Sequence, residues 1–125
     1  MAKIQRFEDI EAWKKARVLT ARVYQLTRTG EVAKDFGFRD QIRRASLSVM
    51  LCISEGFERE SGDKDFKHFL SLAKGSAGEV RAALYVGLDC GYFDQRQFDE
   101  LYQLSIETVR LLSRFITYLD ASLKA

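Results

Sequence analysis

Proline is absent from this 125-residue sequence, which also has only two cysteines and one histidine. Because proline breaks helix interiors and is common in loops, its absence is typical of long helices joined by short turns. His68 is not part of a Glu-x-x-His pair, so the di-metal site of some helical bundles is excluded. Cys52 and Cys90 lack a zinc-binding spacing, and we expect small buried hydrophobic residues rather than a disulfide.

Other signals of chemistry or membrane insertion are missing as well. No stretch approaches the roughly 18 apolar residues of a spanning helix, and the N-terminal segment does not resemble a signal peptide. No glycine-rich phosphate loop follows a strand, and no serine has the context of a hydrolase nucleophile. We therefore expect a cytoplasmic, non-enzymatic protein without metal, cofactor, membrane partner or small-molecule substrate, in which His68 lies at the surface or at an interface.

Helical periodicity dominates what is present. Apolar residues make up 46% of the chain and charged residues 30%, which suits one globular domain over residues 1–125. Apolar positions recur at helical spacing over residues 8–28, 38–57, 64–89 and 95–122, with a turn region at 29–37. The sequence predicts an all-α fold, an up-down-up-down antiparallel four-helix bundle. Gly75 and Gly78, inside the third helix, predict a close approach of two helices.

The apolar surface exceeds the needs of one bundle core. The fourth helix is apolar over roughly 240° of its circumference, more than twice the stripe that one core requires. Large exposed apolar patches are rare on monomers, so we predict a homo-oligomer. The alternative is an irregular bundle whose single core buries everything. The predicted interface residues come from the second and fourth helices: Leu47, Leu51, Leu111, Phe115 and Tyr118.

Charged residues follow the core of the second and third helices in a polar seam of Arg44, Glu55, Arg59 and Glu79. Since an arginine fork suits a carboxylate, we predict that the two glutamates pair with the two arginines and set the helix register. Ligand binding is the alternative role.

Positive charge is concentrated near the N-terminus. The chain has a net charge of only +2, but residues 1–30 hold seven Lys and Arg against three acids. An oligomer repeats such a patch, which would favour RNA or DNA binding, whereas a solvated helix face is the simpler interpretation. The candidate residues are Lys14, Lys15, Arg17 and Arg22 on the first helix, with Arg39 and Arg43 facing outward on the second.

Several segments together resemble a known family over nearly the whole chain: FEDIEAWKKA at 7–16, QIRRASLSV at 41–49, ISEGFER at 53–59, DFKHFLSLAKGSAGEVR at 65–81 and DCGYF at 89–93. They are similar to the small four-helix-bundle proteins encoded in intervening sequences of bacterial 23S ribosomal RNA genes. They also resemble the accessory variability protein of diversity-generating retroelements, a basic pentamer that partners nucleic acid. The family usually reads Pro-Ala-Asn-Ile-Ala where this chain has MLCIS at 50–54, and losing the proline predicts a straighter second helix.

The resemblance implies a homopentamer without catalytic residues. Combined with the residue patterns, it predicts a non-enzymatic oligomeric bundle that acts as an RNA-associated binding module. The alternative is a protein–protein interaction scaffold with no nucleic-acid role.

Overall fold

The structure, a computed structural model, describes residues 4–124. It contains a 3-10 turn (Phe7–Asp9) followed by five helices: α1 (Glu11–Leu26), α2 (Glu31–Lys34), α3 (Phe36–Glu58), α4 (Asp63–Asp89) and α5 (Gln95–Lys124). The four long helices pack in the cyclic order α1, α3, α4, α5, and α1 also contacts α5. This arrangement confirms the predicted all-α antiparallel four-helix bundle. Over the described residues, no helix is both long and apolar enough to span a membrane.

Helix starts follow from local capping. Asp35 accepts a hydrogen bond from the backbone N–H of Phe38 at 3.1 Å, so α3 begins at Phe36 rather than at Phe38 as predicted. The predicted turn region before it contains the short helix α2. The Asp94 carboxylate accepts a bond from the Gln97 backbone N–H at 2.8 Å, and the Gln97 side-chain oxygen accepts one from the Asp94 backbone N–H at 3.0 Å, which confirms Asp94 as the cap of α5.

The α4–α5 connection is held by backbone and side-chain bonds. Gly91 adopts a φ of +75°, and the N–H of Tyr92 donates to the Gly87 carbonyl at 2.8 Å. This is the hydrogen-bond pattern of a Schellman helix end, which requires a left-handed residue. The Tyr92 hydroxyl also donates to Asp35 at 2.6 Å, tying this connection to the start of α3. That bond raises the pKa of Tyr92 to about 12 and lowers the pKa of Asp35.

Two apolar clusters along the bundle axis form the core. Its buried residues match the helical lines read from the sequence, and the largest fully buried side chains include Ile10, Leu19, Ile42, Ile53, Leu70, Leu84, Phe93, Leu101 and Leu112. α3 runs without interruption through residues 50–54, and the straighter axis expected from the missing proline stays a prediction. The two cysteines are free thiols. Cys90 is exposed because it caps the C-terminal end of α4, where no other helix covers it, so the expectation that it is buried is wrong.

Glycines show where the helices come closest. A Cβ on Gly56 would lie 2.5 Å from the Phe69 Cβ, and one on Gly87 would lie 2.5 Å from the Phe93 ring. At Gly75 and Gly78, by contrast, a Cβ would meet nothing within 4 Å. The predicted close approach at the latter two glycines is therefore not made inside the chain.

Candidate functional site

An apolar patch lies on the outward side of α3 and α4. Leu47 and Leu51 of α3 are 37% and 55% exposed, and Leu72 and Val86 of α4 are 45% and 50% exposed. The outward surface that carries these four side chains is called the α3–α4 face here. It presents large apolar side chains that no described residue of the chain covers.

One contact sets the level of the two helices on this face. The hydroxyl oxygens of Ser48 and Ser76 share a hydrogen bond at 3.0 Å. Leu51 lies one turn beyond Ser48, and Leu72 lies one turn before Ser76. Because α3 and α4 run antiparallel, both leucines lie on the same side of this contact and at a similar level. With Leu47 one turn from Leu51, the three leucines lie at neighbouring levels of the same face.

Charged side chains surround the patch without partners. Arg44, Glu55 and Glu79 are exposed, and the side chain of none makes an ion pair or hydrogen bond with any residue whose side chain the structure describes. Glu79 follows Leu72 by seven residues and precedes Val86 by seven, so it lies on the same outward line of α4. This heptad line is the signal that could have identified Leu72 and Val86 as surface residues from sequence.

The predicted polar seam is therefore not closed within one chain. Arg59 pairs with Asp65 at 3.1 Å instead, and its guanidinium lies 5.1 Å from the Phe69 ring. Asp65 lies in the first turn of α4, beside the end of α3, and takes the Arg59 side chain in place of Glu55. Arg44 and Glu55 are eleven residues, roughly 16 Å, apart along α3 and cannot pair with each other in one helix. Pairing of the seam residues between two copies stays a prediction.

The opposite side of the bundle, between α1 and α5, is closed by ion pairs. Lys15 pairs with Glu107 at 2.9 Å and Arg22 with Glu100 at 2.7 Å. The hydrogen bond from Lys15 lowers the pKa of Glu107, and the bond to Glu100 raises the pKa of Arg22. Lys14 pairs with Glu11 of its own helix at 3.2 Å. These acids offset much of the positive charge predicted for the first helix.

The other predicted basic residues are also engaged. Arg17 lies 5.9 Å from the Trp13 ring on the outer side of α1. Arg43 donates to the Thr27 hydroxyl at 2.8 Å and stacks 4.6 Å from the Tyr24 ring. Both Arg43 and Arg39 are half-buried, so the expectation that they face outward is wrong.

Arg39 illustrates the physical reason. Its guanidinium donates to the Ala33 carbonyl at 3.0 Å, pairs with Asp40 at 3.0 Å and lies 4.9 Å from the Phe36 ring. Acceptors in the connection before α3 thus turn this side chain along the protein surface. The spacing of residues within α3 gives no information about hydrogen-bond acceptors that lie outside this helix, so it could not predict where the Arg39 side chain points.

The α5 residues of the predicted interface divide into two groups. Leu111 and Phe115 are half-buried and pack against the core of their own chain, with Phe115 edge-on to Phe66 at 5.3 Å. Only Tyr118, 46% exposed, resembles the apolar residues of the α3–α4 face. The broad apolar surface of α5 is thus largely covered within the bundle.

Two adjoining cavities of about 420 and 280 Å³ occur at the bundle end near the α3–α4 connection. They share Ile4, Phe115 and Tyr118, so their common wall is apolar. Among the described residues, no His, Cys, Asp or Glu group is placed to hold a metal ion. His68 is exposed, as predicted, with its ring 5.8 Å from that of Phe69.

Comparisons with known proteins bear on the fold and the family. A crystal structure of a protein with unknown function from the S23 ribosomal protein family of Bacteroides thetaiotaomicron superposes with a TM-score of 0.75. The two chains are 24% identical, over 84% of this chain and 97% of the other, which shows a shared fold. Among curated proteins, none matches. The model of the 23S rRNA-intervening sequence protein family matches residues 8–114, nearly the whole bundle, and the chain therefore belongs to that family.

Proposed function

We propose that this protein is a non-enzymatic homo-oligomer that assembles through the α3–α4 face and serves as an RNA-associated binding module. The observation that carries the assembly is the coincidence of exposed leucines with unpaired charges of both signs on one face. A surface that mixes these features is suited to a second copy of itself, because Arg44, Glu55 and Glu79 form no ion pair with any described residue of their own chain and are free to pair across a symmetric interface.

The energetics favour burial of this face over the opposite one. Each large apolar side chain that leaves water contributes about 25 cal/mol per Å² of buried apolar area. Burying the α1–α5 face would remove water from formed ion pairs such as Lys15–Glu107, which costs free energy, whereas the described residues around the apolar patch of the α3–α4 face form no ion pair. Gly75, between Leu72 and Glu79 in sequence, presents open backbone on which a neighbouring helix can rest.

Two observations support the pentameric and RNA-associated parts of the proposal. The sequence resemblance implies a ring of five copies, and the family's name ties it to intervening sequences of 23S ribosomal RNA. The competing function, a protein–protein scaffold, uses the same assembly but binds no RNA. Binding to RNA at low salt, weakening as salt rises, distinguishes the two because phosphate contacts release counterions.

The test of assembly compares two glutamate substitutions at equally exposed sites. Leu51→Glu places a charge in the α3–α4 face, where the side chain is 55% exposed, and Val18→Glu does so on the outer side of α1, where it is 52% exposed. Neither change buries a charge within one chain. Light scattering coupled to size exclusion is expected to show dissociation for Leu51→Glu and an unchanged oligomer for Val18→Glu.

Other results would count against the proposal in different ways. A monomeric wild-type protein at micromolar concentration would refute assembly altogether. An intact Leu51→Glu oligomer would refute the α3–α4 face as the interface. A wild-type mass other than five chains would refute the pentamer while leaving self-association in place.

A further inference from the structure

A second basic surface lies where α4 packs beside α5. On α4, Lys74, Arg81 and Tyr85 follow Lys67 at steps of seven, seven and four residues, which keeps them on one side of the helix. Both ends of this line contact α5: Lys67 donates to Asp120 at 2.7 Å, and the Tyr85 ring lies edge-on to two aromatic rings. The two basic residues between these ends therefore follow the same edge of the bundle.

Arg110 adds a third positive charge from α5. The contacts at the two ends of the line set the antiparallel register, which places Arg110 level with the turn of α4 around Gly78. It thus lies midway in height between Lys74 and Arg81. Gly78 has no side chain, and the space where its Cβ would be is open. Lys74 and Arg81 therefore flank an unobstructed stretch of α4, and Arg110 adds positive charge at the same level on α5.

Lys74 and Arg81 are not paired with acids as Lys15 and Arg22 of α1 are. Within the described residues, Lys74, Arg81 and Arg110 make no ion pair and no hydrogen bond, and beside the hydrogen bond from Lys15 the charge of Arg110 contributes to the lowered pKa of Glu107. The only acid of α4 between residues 73 and 84 is Glu79, which lies on the α3–α4 face. The only acid of α5 between residues 104 and 119 is Glu107, which Lys15 already engages. Lys74 and Arg81 therefore keep charges that no acid among the described residues pairs with, unlike Lys14, Lys15 and Arg22 of α1.

We propose that Lys74, Arg81 and Arg110 contact the backbone phosphates of single-stranded RNA. This rests on the RNA association proposed above and assigns it to the α4–α5 edge instead of α1. Lys74 and Arg81 are about 10 Å apart along the helix, enough to engage separate phosphates. Tyr85, 51% exposed at the end of the line, offers an aromatic surface on which an unpaired base can stack.

The test uses two triple variants with the same loss of charge. Fluorescence anisotropy with a short labelled single-stranded RNA, over a salt series, measures the affinity of each. One variant neutralises the α4–α5 edge by Lys74→Gln, Arg81→Gln and Arg110→Gln. The control neutralises α1 by Lys14→Gln, Arg17→Gln and Arg22→Gln.

The α4–α5 variant is expected to bind the RNA at least about tenfold more weakly than wild type, and its affinity should depend less steeply on salt. The affinity of the α1 variant is expected to stay within about twofold of wild type. The same RNA as a duplex, and DNA of the same sequence, are expected to bind more weakly than the single strand. Equal losses in both variants, a larger loss in the α1 variant, or preference for the duplex would overturn the proposal.

Assembly is checked in the same samples by light scattering. None of the six substituted residues lies on the α3–α4 face, so both variants are expected to keep the wild-type mass. If the α4–α5 variant lost both RNA binding and the oligomeric mass of wild type, the assignment of RNA binding to the α4–α5 edge would be overturned, because the binding defect would then follow from dissociation of the oligomer. Absence of binding by an intact wild-type oligomer at low salt would refute RNA association while leaving the assembly proposal standing.

Discussion

Substituting two helix glycines with alanine should change the stability of the chain in opposite directions. Alanine is favoured over glycine inside a helix by about 1 kcal/mol. At Gly75 nothing lies within 4 Å of the new Cβ, so the folded chain gains this preference. At Gly56 the new Cβ would lie 2.5 Å from the Phe69 Cβ and 3.1 Å from the Phe66 ring. The Phe69 Cβ is attached directly to the α4 backbone and cannot rotate away, so α3 and α4 must separate.

Overpacking of this kind costs about 1–3 kcal/mol, and the short contact at Gly56 favours the upper part of that range. After the helix preference is subtracted, we expect Gly56→Ala to lower the free energy of unfolding by roughly 1–2 kcal/mol. Gly75→Ala should raise it by up to about 1 kcal/mol. Urea denaturation followed by circular dichroism measures both, in a Leu51→Glu background so that self-association does not contribute.

The two variants also separate folding from assembly. In the otherwise unsubstituted protein, Gly75→Ala is expected to weaken self-association while stabilising the monomer, because the new methyl group occupies the open backbone of the α3–α4 face. A Gly56→Ala chain as stable as its parent would refute the close packing of α3 on α4. A Gly75→Ala monomer less stable than its parent would refute the open surroundings of Gly75.

Three further substitutions test particular contacts by urea denaturation. Asp94→Ala removes the cap of α5 and should lower the free energy of unfolding by about 1 kcal/mol, whereas Asp94→Ser keeps an oxygen acceptor and should lower it much less. Equal losses of stability in the two variants would argue against capping. Arg43→Ala removes a charged hydrogen bond to Thr27 and an aromatic contact, and should cost roughly 1–2 kcal/mol without altering RNA affinity; a change in affinity alone would show that Arg43 faces a ligand. Tyr92→Phe removes the bond to Asp35. In the folded wild-type protein the pKa of Tyr92 is raised to about 12. The bond therefore stabilises the fold fully at pH values below the pKa of Tyr92 in the unfolded chain, and this stabilisation is lost as the pH rises through the pKa of Tyr92 in the folded chain. The stability advantage of wild type over Tyr92→Phe should therefore shrink between about pH 10 and pH 12, and a constant difference would contradict the bond.

The candidate surfaces show where sequence patterns lose information. Leu47 and Leu51 were identified from helical spacing alone, because they lie opposite the core line of α3. Leu111 and Phe115 have equally apolar surroundings in sequence, yet they pack against their own core. Spacing shows which side of a helix is apolar, but how much of that side a neighbouring helix covers depends on the relative positions of both helices.

The amino-acid sequence by itself determined the number of long helices, their core lines and most of their ends. These follow from apolar spacing, from capping residues such as Asp94 and from the absence of proline, all of which act within a few turns of chain. Only the tertiary structure decided which charges meet: Arg59 takes Asp65, and Arg43 turns toward Thr27. In both cases the two partners lie on different elements, so their pairing depends on helix register and on loop geometry, which the periodicity of a single helix does not encode.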